Sequence, residues 1–345
     1  MHYLITGHTG FKGAWLSLLL AERGHTVSGL ALDPAPGSLF GRTRLAELLV
    51  NDVRIDIRDP VATRDAVTAV APDVVVHLAA QALVRESYRD PRYTYETNAL
   101  GTLHVLQAVE SVPTVKAQLV ITTDKVYRNV NQIWGYRETD ALGGVDPYSA
   151  SKAAADLITQ SWMVGAGARI PTAIARAGNV IGGGDVCAER LMVDLVAAFS
   201  SGRPVTLRYP DAVRPWQHVL DCLSGYLDLI DALLGGELAG EAFNFGPDAG
   251  SFVPVGKVAA AVAALWGTDS VVKLDEQVHV HEANLLALDS RKAELELDWR
   301  NRLAFRDALA WTVDWEKSVR SGADARAVTI AQIDAFQRLR AGDAT

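Results

Sequence analysis

Along the first half of the chain, short runs of Val, Ile and Leu alternate with longer stretches that mix apolar and polar residues at helical spacing. Parallel strands covered on both faces read as such unbroken apolar runs, so the alternation predicts βαβ units. Strands are predicted near residues 3–6, 27–30, 53–55, 74–78, 119–122 and 172–175. Between the first two, residues 14–23 carry good helix formers and stop at Gly24, which readily takes the left-handed turn that ends a helix. Beyond about Asn179 the alternation lapses: Gly182, Gly183 and Gly184 mark a turn, and residues 189–200 read as a helix. A smaller second region starts there, while residues 243–245 read as a strand returning to the main sheet.

The predicted fold class is α/β, a Rossmann-type doubly wound parallel sheet with a smaller mixed α/β substrate domain. Residues 1–178, joined again by 215–247, are assigned to the dinucleotide-binding domain, and residues 179–214 and 248–345 to the substrate-binding region. The polar tail after Ala341 is expected to fray.

Composition changes this picture mainly by exclusion. The 345 residues, 49% hydrophobic and 21% charged, suit a folded chain with a sizeable core. A net charge of -8 without a long Lys/Arg run lacks the basic footprint of a nucleic-acid binder. An anionic substrate therefore needs a locally basic pocket. Cys187 and Cys222 make no disulfide framework and lack the spacing of a zinc site, so no metal is expected and the cytoplasm is the expected compartment. No apolar run approaches the roughly 20 residues that span a bilayer, and no signal-peptide pattern follows Met1, so no membrane association is expected.

Candidate chemistry begins at the first strand. Gly7, Gly10 and Gly13 stand between strand and helix, where missing side chains let the backbone approach a pyrophosphate at the helix N-terminus. Asp33 ends the second strand, twenty residues after Gly13; there a carboxylate accepts hydrogen bonds from an adenosine ribose and repels a 2′-phosphate, which favours NAD over NADP. An Asp before Pro34 also caps a loop, so the residue alone leaves both readings open. Asp56 and Ile57, after the third strand, are placed to hold adenine. Tyr148 and Lys152 are four apart, which on a helix puts both on one face. The ammonium is expected to lower the phenol from its ordinary value of about 10 and make it a general base. Thr122 and Thr123 close the fifth strand beside them.

These residues, together with His77-Leu78-Ala79-Ala80 and Tyr95-Glu96-Thr97-Asn98, resemble the extended short-chain dehydrogenase/reductase family over nearly the whole chain. Within it, Gly7-His8-Thr9-Gly10-Phe11-Lys12-Gly13, Asp146-Pro147-Tyr148-Ser149, the run from Ala177 to Asp185 and the run from Arg214 to Leu220 are similar to the CDP-glucose 4,6-dehydratase subfamily. The resemblance implies NAD as cofactor, a nucleotide sugar as substrate and a homodimer packed through helices. It adds Thr9, Phe11, Lys12, Leu78, Ala79, Ala80, Asn98, Thr122 and Arg176 to the cofactor side, with Tyr148 and Lys152 serving both cofactor and chemistry. It implies oxidation at carbon 4 of the sugar, loss of water across carbons 5 and 6, and hydride return to carbon 6. Thr123-Asp124-Lys125 stands where many sugar-nucleotide dehydratases have Asp-Glu after the threonine. Asp124 is assigned as the acid toward the 6-hydroxyl and Thr123 as a hydrogen-bond donor to the 4-hydroxyl. Lys125 is either the base at carbon 5 or only a partner of a substrate oxygen or of Asp124.

Arg190, Arg208 and Arg214 are candidate diphosphate ligands because guanidinium forks suit that group. Asn179 and His218 are placed with them, and Gln81 is expected to face the sugar. The chain departs from the family's usual Pro, Trp and Pro at Ala82, Val186 and Val193. A dehydratase or 4-epimerase acting on another nucleotide sugar is the neighbouring reading; Asp124 separates the two reactions, since epimerisation needs no elimination acid. A non-catalytic dinucleotide sensor would keep the glycine turn and Asp33 but has no use for Tyr148 and Lys152.

Overall fold

The computed structural model describes residues 1–165, 168–268, 272–274 and 286–342. Seven strands form one parallel sheet: β1 (His2–Thr6), β2 (Thr26–Ala31), β3 (Asn51–Arg54), β4 (Val74–His77), β5 (Ala117–Ile121), β6 (Thr172–Ala177) and β10 (Ala242–Phe245). Their order is β10-β6-β5-β4-β1-β2-β3, so the chain reverses direction across the sheet between β1 and β4. The predicted doubly wound sheet is thus the observed one.

Alternate residues of each strand serve opposite faces. Ile5, Val74 and Val76 join a core with α1 (Phe11–Glu22) and, beyond it, α6 (Val219–Leu234). Leu4 and Val75 point the other way, to Val67 and Val70 of α2 (Pro60–Val70) and Val105 and Val109 of α3 (Gly101–Glu110). The pattern of unbroken apolar strands follows from this two-sided burial. The long helix α4 (Pro147–Val164) packs on the α3 side, starting at Asp146, whose carboxylate accepts the Ser149 N–H at 2.9 Å. Pro147 takes the first helical position, where a missing N–H costs nothing.

A smaller mixed sheet, in the order β11-β9-β7, consists of β7 (Asn179–Ile181), β9 (Val213–His218) and β11 (Phe252–Pro254). Beside it lie α5 (Leu191–Ser200), a parallel pair of β8 (Val205–Leu207) and β12 (Val272–Leu274), and α7 (Val255–Trp266). Two C-terminal helices, α8 (Phe305–Arg320) and α9 (Ala325–Ala341), complete the chain. The tail expected to fray, residues 343–345, lies outside the described residues.

The glycine run 182–184 is more than a flexible turn. A side chain on Gly183 would come within 2.1 Å of the Trp315 ring, while the carbonyl of Gly183 accepts the Trp15 indole N–H at 3.0 Å. Gly184 N–H donates to the buried Glu316 carboxylate at 2.9 Å. These contacts tie α1 and α8 to the segment that leaves the main sheet.

Candidate active site

A cleft of about 1300 Å³ runs along the carboxyl ends of the central strands and under the smaller region. Ligands of open α/β sheets bind at this edge, where the strand order reverses. Its first wall is the β1–α1 turn. Gly7 has φ +77°, and a side chain there would lie 2.8 Å from the Ala79 nitrogen. A side chain on Gly13 would come 2.2 Å from the Gly7 carbonyl oxygen. Gly10 caps α1 without a side chain, leaving the first N–H groups of the helix directed at the cleft. The turn therefore admits a phosphate against the backbone.

Asp33 stands at the open end of this wall with its side chain 91% exposed, 3.9 Å from Arg54 Nε. Thr9, Phe11, Lys12, Asp56, Ile57, Leu78, Ala79, Ala80 and Thr122 all line the cleft. The Thr9 hydroxyl is already engaged with the Leu32 carbonyl at 3.1 Å, and the Asp56 carboxylate is clasped by Arg58 at 2.6 Å.

At the other end Thr123, Asp124, Lys125, Tyr148 and Lys152 meet. Thr123 follows β5 directly, and Tyr148 sits in the first turn of α4. The Thr123 hydroxyl donates to Asp124 Oδ1 at 2.9 Å and is also hydrogen-bonded to Tyr148. Asp124 is buried, and among the described residues its Oδ2 has no hydrogen-bond partner. Gly178 leaves that oxygen room, since a side chain there would lie 3.0 Å from it. Lys125 Nζ is 3.8 Å from Asp124 Oδ1.

The electrostatics differ from the sequence expectation in one respect. Burial raises the Tyr148 phenol above its ordinary value, and the charge of Lys125 and the Thr123 hydrogen bond work against that rise. The Lys152 ammonium instead donates to the Ile121 carbonyl at 2.8 Å, and burial together with nearby Lys12 pushes its pKa down to about 8. Helical spacing puts the two residues on one face, but the ammonium reaches down to the strand end.

Asn179, Arg190, Arg208 and Arg214 line the cleft on the side of the smaller region. Arg190 is paired with Asp185 at 2.7 Å, a carboxylate the sequence reading missed. It also missed the pair of Arg85 and Glu189, 3.5 Å apart, both lining the cleft.

Four expected residues do not reach the cleft with free side chains. Arg176 is fully buried behind it, bidentate on Asp156 at 2.9 and 2.7 Å and bonded to the Tyr127 hydroxyl at 2.8 Å. The same Asp156 accepts from Thr122 at 2.9 Å, so this ion pair anchors the end of β5. Asp156 lies one turn after Lys152, a spacing that hinted at it. His218 is buried between the rings of Trp15 and Trp311, where its Nδ1 accepts the Leu220 N–H at 3.3 Å and caps α6. Asn98 sits in a π-helical turn, Glu96–Leu100, and grips both backbone groups of Gln81 at 2.8 and 3.0 Å. Gln81 lines the cleft, but its amide donates to Leu83 O at 3.0 Å and to the Thr94 hydroxyl at 2.9 Å, so its side chain shapes the loop. Among the described residues no cluster of His, Cys, Asp and Glu could hold a metal ion.

The sequence pattern of the GDP-mannose 4,6 dehydratase family matches residues 4–312. The chain belongs to this family. It is similar to a CDP-glucose 4,6-dehydratase of Salmonella typhimurium, 42% identical over 93% of this chain and 91% of the relative. A dTDP-glucose 4,6-dehydratase of Streptomyces griseus is 32% identical, covering 93% of this chain and 95% of the relative. Among solved structures, the dTDP-glucose 4,6-dehydratase DesIV of Streptomyces venezuelae, determined with NAD bound, superposes with a TM-score of 0.80 at 28% identity, covering 93% and 98% of the two chains. A UDP-glucose 4-epimerase of Thermotoga maritima reaches 0.82 at 22% identity, covering 93% of this chain and all of the other, which shows the shared fold.

Proposed function

We propose that this family member is an NAD-dependent CDP-glucose 4,6-dehydratase, a hydro-lyase forming CDP-4-keto-6-deoxyglucose. The observation that carries the reading is Asp124: a buried carboxylate with one unpartnered oxygen, held by Thr123 beside Tyr148 and Lys125. A 4-epimerase needs the tyrosine and threonine but no such acid. The cytidine assignment is supported by the 42% identity with the Salmonella enzyme.

The residues present fit NAD: the cradle at Gly7 and Gly13 leaves no room for side chains, and Asp33 faces the ribose end. When bound, NAD takes a hydride from carbon 4 and returns it to carbon 6. Tyr148 accepts the proton of the 4-hydroxyl, and Thr123 orients that hydroxyl. The ketone so formed acidifies the hydrogen on carbon 5, which Lys125 in its uncharged form removes. Asp124, in its protonated form, gives its proton to the departing 6-hydroxyl, which leaves as water while Asp124 becomes the carboxylate. Arg208 and Arg214 supply the local positive charge that a diphosphate requires on a chain of net charge -8, while Arg190, paired with Asp185 at 2.7 Å, offers its remaining N–H groups.

The protein is further read as a cytoplasmic homodimer; exposed Tyr88, Tyr95, Leu100 and Leu157, on helical segments that pack together, support a helical interface. Among the described residues no helix is long and apolar enough to cross a membrane. The deciding test is incubation with CDP-, UDP-, GDP- and dTDP-glucose, followed by mass spectrometry. Loss of one water from CDP-glucose ahead of the others is expected. Loss from another nucleotide sugar alone overturns the base assignment, and loss from none overturns the dehydratase reading.

A further inference from the structure

We propose that the buried ion pair of Asp156 and Arg176 holds the turn bearing Asp124 and Lys125 at both of its ends, and that one arm of it, the Tyr127 hydroxyl, positions these two residues for elimination. The inference rests on the dehydratase reading above, which gives Asp124 and Lys125 their part in that step.

The turn is short. Thr123 leaves β5 with extended backbone, Asp124–Val126 form a single 3-10 turn, and Tyr127 is extended again. Within it the Val126 N–H donates to the Thr123 carbonyl at 3.2 Å and the Tyr127 N–H to the Asp124 carbonyl at 3.3 Å. Both bonds are long, so the turn depends on what grips its ends. Before it, the Thr122 hydroxyl donates to Asp156 Oδ2 at 2.9 Å. After it, the Tyr127 hydroxyl accepts an N–H of Arg176 at 2.8 Å and donates to Asn244 Oδ1 at 2.7 Å. Arg176 and Asp156 are joined at 2.9 and 2.7 Å, so both ends rest on one ion pair. Thr122, Tyr127, Asp156, Arg176 and Asn244 are all buried. Burial raises the Tyr127 phenol above its ordinary value, which keeps it a donor.

A buried ion pair adds little net stability, because desolvation offsets the attraction, but a fully satisfied network fixes one arrangement of what it holds. The two arms bear on different steps. Thr122 fixes the strand end from which Thr123 meets Tyr148, the pair assigned to oxidation. Tyr127 fixes the exit of the turn, directly after the residues assigned to elimination. β6, which carries Arg176, also runs on into Gly178, whose missing side chain leaves room for Asp124 Oδ2. Removing the Tyr127 hydroxyl leaves the ion pair intact and Arg176 still bonded to the Glu138 carbonyl at 3.1 Å. Such a change loosens the turn and spares the fold.

The test is a single turnover of the purified, NAD-saturated protein with the nucleotide sugar it dehydrates, CDP-glucose on the reading above. Absorbance follows NADH, and mass spectrometry follows loss of water. Tyr127→Phe should oxidise the sugar within about twofold of the wild-type rate but lose water roughly 10–100-fold more slowly, the scale set by misplacing a reacting group by about 1 Å. NADH should therefore build up, with the KM for the sugar unchanged. Thr122→Val should slow oxidation itself and build up none. Tyr136→Phe is the control: its ring stacks on Tyr127 at 5.3 Å, but its hydroxyl bonds Asn129 and Val130 and not the ion pair, so it should build up none either. The inference is overturned, with the dehydratase reading intact, if Tyr127→Phe builds up no NADH, slows both steps equally or loses its circular dichroism. It is overturned equally if Thr122→Val or Tyr136→Phe builds up NADH as Tyr127→Phe does. A wild type that loses water from no nucleotide sugar overturns both.

Discussion

Asp124 shows how much of the chemistry rests on single atoms. One of its oxygens is satisfied by Thr123 and the other is not, a costly state for a buried group unless a substrate completes it. Replacing it with Asn keeps the shape and removes the acidic proton. In a single turnover Asp124→Asn should let oxidation proceed and stall elimination, so NADH absorbance accumulates while the sugar keeps its mass. Dehydration at the wild-type rate would rule out Asp124 as the acid. Asp33 carries a second prediction. Arg54 is held beside it by Asp52 at 2.7 Å and the Leu32 carbonyl at 3.1 Å, and it stacks on Phe40. Removing the Asp33 carboxylate leaves a fixed guanidinium near the ribose, so Asp33→Ser should gain roughly tenfold or more in NADPH affinity in a fluorescence titration. No gain would mean Arg54 is too strongly held by Asp52 to receive a phosphate. Residues legible in the sequence, Gly7, Gly13, Tyr148 and Lys152, are fixed by local spacing against a strand or helix. Arg176 and His218 were misplaced because neighbouring strand residues face opposite ways, and the sequence does not say which face meets the cleft.

Among the elements, the strands of the main sheet were legible within about two residues because their apolar runs reflect burial on both faces, whereas the short strands of the smaller region were not. Helix starts needed side-chain geometry: Asp146 caps α4 and His218 caps α6, and the latter role is invisible without the two tryptophans around it. Burial pushes the His218 imidazole down to about 3. The unfolded chain accepts a proton below its ordinary value of about 6.5, whereas the folded chain resists it. The stability tied to neutral His218 is thus fully present above about 6.5 and is lost as pH falls from there toward about 3. Thermal midpoints should drop over that window, and His218→Asn, which keeps a capping oxygen but does not titrate, should flatten the drop. An unchanged slope would assign the acid sensitivity elsewhere, with buried His77 the next candidate. The glycine run offers a sharper contrast between sequence and packing. Gly183→Ala must push against the Trp315 ring and should cost about 1–3 kcal/mol in urea unfolding, whereas a mere turn glycine with negative φ would tolerate it.

For the whole molecule, the sequence showed two regions and a strand near 243–245 returning to the main sheet, as β10 does, but not how their walls meet. β10 pairs with β6 only after the chain has built β7, α5, β8, β9 and α6, and the cleft closes because both regions contribute walls. Contacts between distant segments decide this arrangement, and local periodicity carries no record of them. The same holds for association. Leu157 on α4 is 53% exposed and Leu100, in the turn packed against that helix, is 48% exposed, although both neighbourhoods are otherwise well buried. Fully burying one such leucine contributes about 1.5–3 kcal/mol, so two in a dimer interface would account for a large share of its affinity. Replacing both with Glu adds desolvation of a charge to the lost burial and, across a symmetric interface, places every new charge twice. Light scattering should find the wild type dimeric, and Leu100→Glu with Leu157→Glu should raise the dimer dissociation constant by at least about 100-fold. Because both side chains are already exposed in the single chain, circular dichroism should remain unchanged. A variant that stays dimeric would place the interface on another face, and a variant that unfolds would mean these residues support the helices within one chain.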